Sequence, residues 1–165
     1  MTERLLIMRH GEAAPGRPDH ERELTSRGQE EVRCMGRWLA AREDRGFPRL
    51  RLLASPYVRA RQTAQQIAEP LGLVVESLPI ITPDAPPEGV VEWLLKQPEG
   101  QPLMLISHMP LVAALTGLLV EGRSERGVGF PAAAVAELES EVWAAGCARL
   151  RGFTSPAGLR SADPR

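Results

Sequence analysis

Two histidines and two arginines stand where this chain turns from apolar to polar. The run Leu5–Met8 passes directly into Arg9-His10-Gly11-Glu12, and the run LMLI at 103–106 ends in Ser107-His108. A third short run, Leu52–Ala54, leads through Ser55-Pro56 to Arg59. A strand needs only a turn at its end, which Gly11 alone supplies, so the cation and the imidazole need a further reason. A neutral imidazole is a nucleophile, and a guanidinium is a planar fork of donors that matches the oxygens of a phosphoryl group. In open α/β sheets ligands bind beyond the carboxyl ends of the strands. That rule brings Arg9, His10, Arg59 and His108 from distant sequence to one crevice. Arg59 falls in the first turn of a helix, where free backbone N–H groups already favour an anion.

The elements that must position these residues alternate between strand and helix. Leu5–Met8 is a continuous apolar run, as for a strand covered on both faces. Thr25 caps a helix through about residue 41, with Val32, Met35 and Leu39 on one face. After the strand Leu52–Ala54, Ser55 reads as an N-cap with Pro56 at the first helical position. Ala60, Ala64, Ile67 and Leu71 mark that helix, which ends near Gly72. Leu73–Val75 reads as a third strand, followed by a proline-rich loop around Pro79–Pro87 and a short helix over about Val90–Lys96. A strand over Pro102–Ile106 leads to a helix over about Leu111–Val120. Residues 121–131 read as a glycine-rich charged loop that either lies apart from the crevice or tunes access to it. Ala133–Leu138 and Ala148–Phe153 read as final strands. The alternation predicts a three-layer α/β/α sandwich with a mostly parallel central sheet and no large cap insertion. Residues 1–154 form one domain in this reading, and 155–165 a flexible tail.

Composition narrows the function. A chain of 165 residues fits a single core, and 20 basic against 21 acidic residues leave a formal net charge of -1. That balance carries no electrostatic footprint for nucleic acid or an anionic membrane. Every basic residue but Lys96 is an arginine, which supplies planar forks for phosphate or carboxylate. Cys34 and Cys147 form no CxxC pair and read as reduced thiols. The N-terminal apolar run is too short for a signal peptide, and no stretch spans a bilayer, so a cytoplasmic location is expected.

Four pieces in this order, MRHGEA at 8–13, LTSRGQ at 24–29, SPYVRARQTA at 55–64 and ISHMPLV at 106–112, resemble the histidine phosphatase (phosphoglycerate-mutase-like) superfamily. The short length and the turns MRHGEA and SHMPLV resemble its small phosphohistidine phosphatases of the SixA type. The resemblance implies that His10 attacks phosphorus to give a transient phosphohistidine that water later cleaves. Arg9, Arg59 and His108 would hold the equatorial oxygens, with Gly11 leaving room for phosphate near the main chain. It implies no metal and no cofactor. Two guanidiniums beside His10 disfavour its charged form, so activity is expected to persist into mildly acidic buffer.

In this superfamily a carboxylate that protonates the leaving group commonly lies between the second arginine and the second histidine. Asp84 and Glu88 are the candidates, each with the alternative of a loop residue or a helix cap. Imidazole leaves more readily than an alkoxide, so a phosphohistidine substrate lessens the need for that acid. Glu12 either orients an arginine or closes its turn, and Ser107 either touches phosphate or, preferably, caps the next helix. His20 reads as a solvent-exposed loop residue and Arg61 as a surface one. A zinc site from His10, His20 and His108 lacks short ligand spacing. The expected substrate is a phosphorylated protein such as a histidine-phosphotransfer domain. The alternatives are a small phosphate ester, a sugar or nucleotide phosphate, or a phosphate-binding module without catalysis. A mutase is disfavoured, because an open site would not shield its phosphohistidine from water.

Overall fold

The computed structural model describes residues 2–42 and 49–162. Eleven strands and α-helices follow one another among them, besides three short 3-10 turns: β1 (Glu3–Arg9), α1 (Ser26–Ala40), β2 (Arg51–Ala54), α2 (Val58–Leu71), β3 (Val75–Ser77), α3 (Pro87–Leu95), β4 (Leu103–Ser107), α4 (Leu111–Glu121), β5 (Val135–Ser140), β6 (Arg149–Thr154) and α5 (Pro156–Ala162). The strands form one sheet in the order β3-β2-β4-β1-β5-β6. The first four are parallel, and β5 and β6 add an antiparallel pair at one edge.

Strand alternation divides the core in two. Leu5 and Ile7 of β1 face Leu111, Leu115 and Leu119 of α4 together with Val90 and Leu94 of α3. Leu6 and Met8 point the other way, onto Val32, Met35 and Leu39 of α1 and Ala60, Ala64 and Ile67 of α2. Both faces of β1 and β4 are therefore covered, which explains why their sequences are apolar without alternation. The result is the expected three-layer sandwich with a mostly parallel sheet. At the carboxyl edge of the parallel strands the longest connection is 10–25, and among the described residues no inserted domain covers it.

Several local expectations are corrected, among them the starts of β5, at Val135 instead of Ala133, and of α3, at Pro87 instead of Val90. The third strand starts two residues later, because Gly72 closes α2 in a left-handed turn (φ 66°) and the Leu73 N–H still bonds back to the Ala68 carbonyl. Ser55 does not cap α2, which begins at Val58 after Tyr57; the Ser55 hydroxyl is engaged by a histidine instead. The serine–proline start signal operates a hundred residues later. In the segment expected as a flexible tail, Ser155 Oγ accepts from the Gly158 N–H at 3.1 Å and Pro156 opens α5. Leu159 packs that helix against the core of α1 and α2, and Arg160 lies 3.5 Å from Glu31. Residues 163–165 of that segment lie outside the described residues.

Candidate active site

The β-ladder itself delivers the site. Beyond the end of β1, the His10 N–H donates to the Ser107 carbonyl at 3.0 Å, and the His10 carbonyl accepts from the Ala133 N–H at 3.1 Å. The Ser55 N–H donates to the Ile106 carbonyl at 3.0 Å. Backbone pairing thus continues past the apolar runs and fixes His10, Ser55 and His108 at adjacent strand ends. The two imidazoles meet edge to face with centroids 5.1 Å apart.

His10 is presented in one tautomer. Its Nδ1 lies 2.7 Å from the Gly11 carbonyl, an acceptor only, so Nδ1 carries the proton and Nε2 the lone pair. Arg59 Nε donates to that Nε2 at 3.2 Å. Burial pushes the His10 pKa down to about 4, opposed by the Gly11 hydrogen bond and helped by Arg59, Arg9 and Arg22. His108 is pushed down to about 3, by burial first and then by His10 and Arg59. Both imidazoles are neutral at ordinary pH. His108 Nε2 lies 2.7 Å from Ser55 Oγ; that hydroxyl accepts from the Tyr57 N–H, and by donating to Nε2 it leaves the His108 proton on Nδ1.

Two buried polar atoms at this edge have no partner among the described residues, His108 Nδ1 and Arg9 Nε. Native proteins satisfy such atoms, and an oxyanion bound between them would accept from both. Arg9 Nη1 donates to the Phe130 carbonyl at 2.7 Å, which draws the 121–131 loop to the site. That loop sits tightly on α4, where a Cβ on Gly117 would come 2.5 Å from the Gly127 nitrogen.

Gly11 is enclosed by Val32 Cγ2, 2.7 Å from where a Cβ would stand, and its N–H donates to Thr63 Oγ1 at 3.1 Å. Thr63 in turn donates to the Arg59 carbonyl at 2.8 Å, so one hydroxyl ties the His10 turn to the arginine helix. Gly28 lets the start of α1 rest on that turn, since a Cβ there would overlap the Glu12 carbonyl. Glu12 closes the turn: its Oε1 accepts from Thr25 Oγ1 at 2.7 Å.

Arg9, His10, Gly11, Arg59 and His108 lie together at this strand edge. Asp84 and Glu88 do not join them. Both are exposed, Asp84 in a turn and Glu88 in the first turn of α3, with no side-chain hydrogen bond among the described residues. Ser107 neither caps α4 nor reaches the crevice; its hydroxyl donates to the Ile81 carbonyl at 2.7 Å. His20 and Arg61 are exposed. Among the described residues no group of three or more His, Cys, Asp or Glu is placed to hold a metal ion, and no helix is long and apolar enough to cross a membrane. Sequence reasoning missed Ser55 as the partner of His108, Thr63 as a tie and Asp19 as a partner of Arg59. Only Ser55 and Thr63 carried a signal, by standing inside the SPYVRARQTA piece.

The model of the histidine phosphatase superfamily (branch 1) matches residues 5–82, which include Arg9, His10 and Arg59. Phosphohistidine phosphatase SixA of Escherichia coli is 35% identical over 126 residues, 73% of this chain and 76% of that protein. A SixA homolog of Haemophilus influenzae is 32% identical over 143 residues, 81% of this chain and 86% of that protein. The solved structure of the protein histidine phosphatase SixA complexed with tungstate superposes with a TM-score of 0.84 at 32% identity, over 94% of this chain and 99% of that one. The chain belongs to the histidine phosphatase superfamily: it is a hydrolase of the phosphatase class, similar to the SixA-type members.

Proposed function

We propose that this phosphatase dephosphorylates phosphohistidine on a protein, through a covalent phosphohistidine at His10. The observation that carries the reading is the Nε2 lone pair of His10, on a neutral ring fixed in tautomer and held by a buried guanidinium. The kinship with SixA proteins, one of them solved with tungstate, supports the substrate class.

In the first step His10 Nε2 attacks phosphorus while the bond to the substrate's ring nitrogen breaks in line. Arg9, Arg59 and His108 donate to the equatorial oxygens as charge redistributes, and such pre-set donors supply most of the rate. The attacked His10 ring becomes cationic, because Nδ1 keeps its proton on the Gly11 carbonyl. The leaving imidazole, protonated on its far nitrogen, departs neutral. Water then attacks the phosphoryl group, His10 leaves as neutral imidazole, and inorganic phosphate with the water's proton is released. No acid at the scissile nitrogen is needed, consistent with exposed Asp84 and Glu88. A small phosphate ester would require one, and either carboxylate would have to swing inward.

The test is phosphate release with EDTA present, from a phosphorylated histidine-phosphotransfer domain and from a panel of sugar and nucleotide phosphates. His10→Ala is the control. The expected outcome is strong preference for the phosphoprotein and an acid-labile label trapped on wild type but not on His10→Ala. Preference for an ester transfers the function to small-molecule dephosphorylation, and no release with the fold intact leaves a phosphate-binding module.

A further inference from the structure

The pocket that holds an anion carries an anion at its rim. Arg59 Nη2 lies 3.2 Å from Asp19 Oδ2, and Arg59 Nη1 donates to the Asp19 carbonyl at 2.7 Å. Arg22 Nη1 takes the other carboxylate oxygen at 3.0 Å. The Arg59 side chain is 6% exposed and that of Asp19 56%, so the carboxylate stands where the buried fork opens to solvent. Arg22 first, then Arg59, hold this carboxyl below its ordinary range. It stays ionised, able to accept a hydrogen bond and unable to deliver a proton.

The carboxylate cancels part of the positive charge that Arg59 and Arg22 bring to the rim, which weakens the pull on an ordinary phosphate ester, whose charge is all negative. It suits a substrate whose leaving group is a cation. Phosphohistidine is such a substrate: its ring must carry a proton on the far nitrogen to depart neutral, and until the P–N bond breaks that ring is positively charged. In-line attack from His10 sends the leaving ring away from the pocket floor and out past its rim, where Asp19 is exposed.

We propose that Asp19 is a specificity-determining residue, its carboxylate accepting a hydrogen bond from the far ring N–H of phosphohistidine and disfavouring phosphate esters. This rests on the phosphohistidine reading above. When the P–N bond breaks, its electron pair returns to the ring nitrogen and the positive charge on the ring is lost. The far N–H proton leaves with the imidazole, and Asp19 transfers none. Because the ring is most cationic before bond cleavage, the contact favours capture and acts on KM more than on kcat.

The experiment compares phosphoimidazole with p-nitrophenyl phosphate for wild type, Asp19→Asn and Asp19→Glu, with circular dichroism to verify folding. Asn keeps an oxygen for Arg59 and removes the charge. The expected result for Asp19→Asn is a loss of at least tenfold in kcat/KM on phosphoimidazole, mostly in KM, and a rise on p-nitrophenyl phosphate. Asp19→Glu should recover part of the preference. Equal losses on both compounds mean that Asp19 only positions Arg59, and no change on either means that it does not act; both overturn the proposal while leaving the phosphohistidine reading intact. Wild type that hydrolyses p-nitrophenyl phosphate but neither phosphoimidazole nor a phosphorylated histidine-phosphotransfer domain overturns that reading, and this one with it.

Discussion

At the scale of single residues, Arg59 does several things that one positive charge does not. Its Nε faces the His10 lone pair, its two terminal nitrogens reach Asp19, and the guanidinium lies over the Tyr57 ring at 5.0 Å. A lysine supplies one ammonium and no fork. Arg59→Lys is therefore expected to lower kcat about 10²–10³-fold, the usual consequence of removing one pre-set transition-state donor, with the fold kept. Phosphate-release kinetics beside a circular dichroism spectrum check it, and kcat within threefold of wild type would falsify the assignment. The four central side chains were legible in the sequence because arginine and histidine are unusual at the ends of apolar strands. The roles of Ser55 and Thr63 were not, since a serine before a proline reads equally well as a cap, and a threonine inside a helix as a residue bonded to its own backbone, as Thr63 is to the Arg59 carbonyl. Asp19 was illegible for another reason: the 10–25 connection folds back on α2, and nothing local announces that.

Between residues and the whole fold, the start of α1 acts on the His10 turn. Thr25 Oγ1 accepts from the Gly28 N–H at 2.9 Å, so the cap was readable from spacing. What spacing did not give is the reason for glycine at 28, which is the Glu12 backbone, its carbonyl carbon and nitrogen each 3.0 Å from a would-be Cβ. In an exposed helix glycine to alanine stabilises by up to about 1 kcal/mol. Here the overlap is with backbone, which cannot rotate away, so Gly28→Ala is expected to destabilise by roughly 1–3 kcal/mol. It should also lower kcat by shifting Glu12 and, through Gly11, His10. Urea unfolding and steady-state rates on one preparation test this, and a stabilised variant with normal kcat rules out the close approach. The same limit explains the other element-level errors. Ser55-Pro56 and Ser155-Pro156 carry identical local signals, yet α2 begins only at Val58 and the Ser55 hydroxyl is shared between the Tyr57 N–H and His108.

For the whole molecule, the alternation of elements made the α/β sandwich legible, but the strand order and the antiparallel β5 and β6 follow from tertiary pairing that periodicity does not encode. The same burial that builds the site links stability to pH. His10 and His108 have folded-state pKa values of about 4 and about 3, against 6.5 as the reference for both. Between these limits the unfolded chain takes up two protons that the folded chain does not. Stability is thus fully present above about pH 6.5 and falls as the pH drops toward 4, by up to roughly 2.7 kcal/mol per pH unit for two protons. Against a typical total of about 5–15 kcal/mol, a slope of that order is readily measured. Asp19 and Glu76, held down by their arginines, lose their own contribution only as the pH falls into the carboxylate range. Denaturation from pH 7 down to pH 5 therefore isolates the imidazoles. His10→Gln should lower the slope by about half, and His10→Gln with His108→Gln should nearly abolish it. A wild-type slope equal to that of the double variant would mean that the two histidines titrate in the folded protein as they do in the unfolded chain, and activity would then fall as the pH drops through about 6.5 instead of persisting below it.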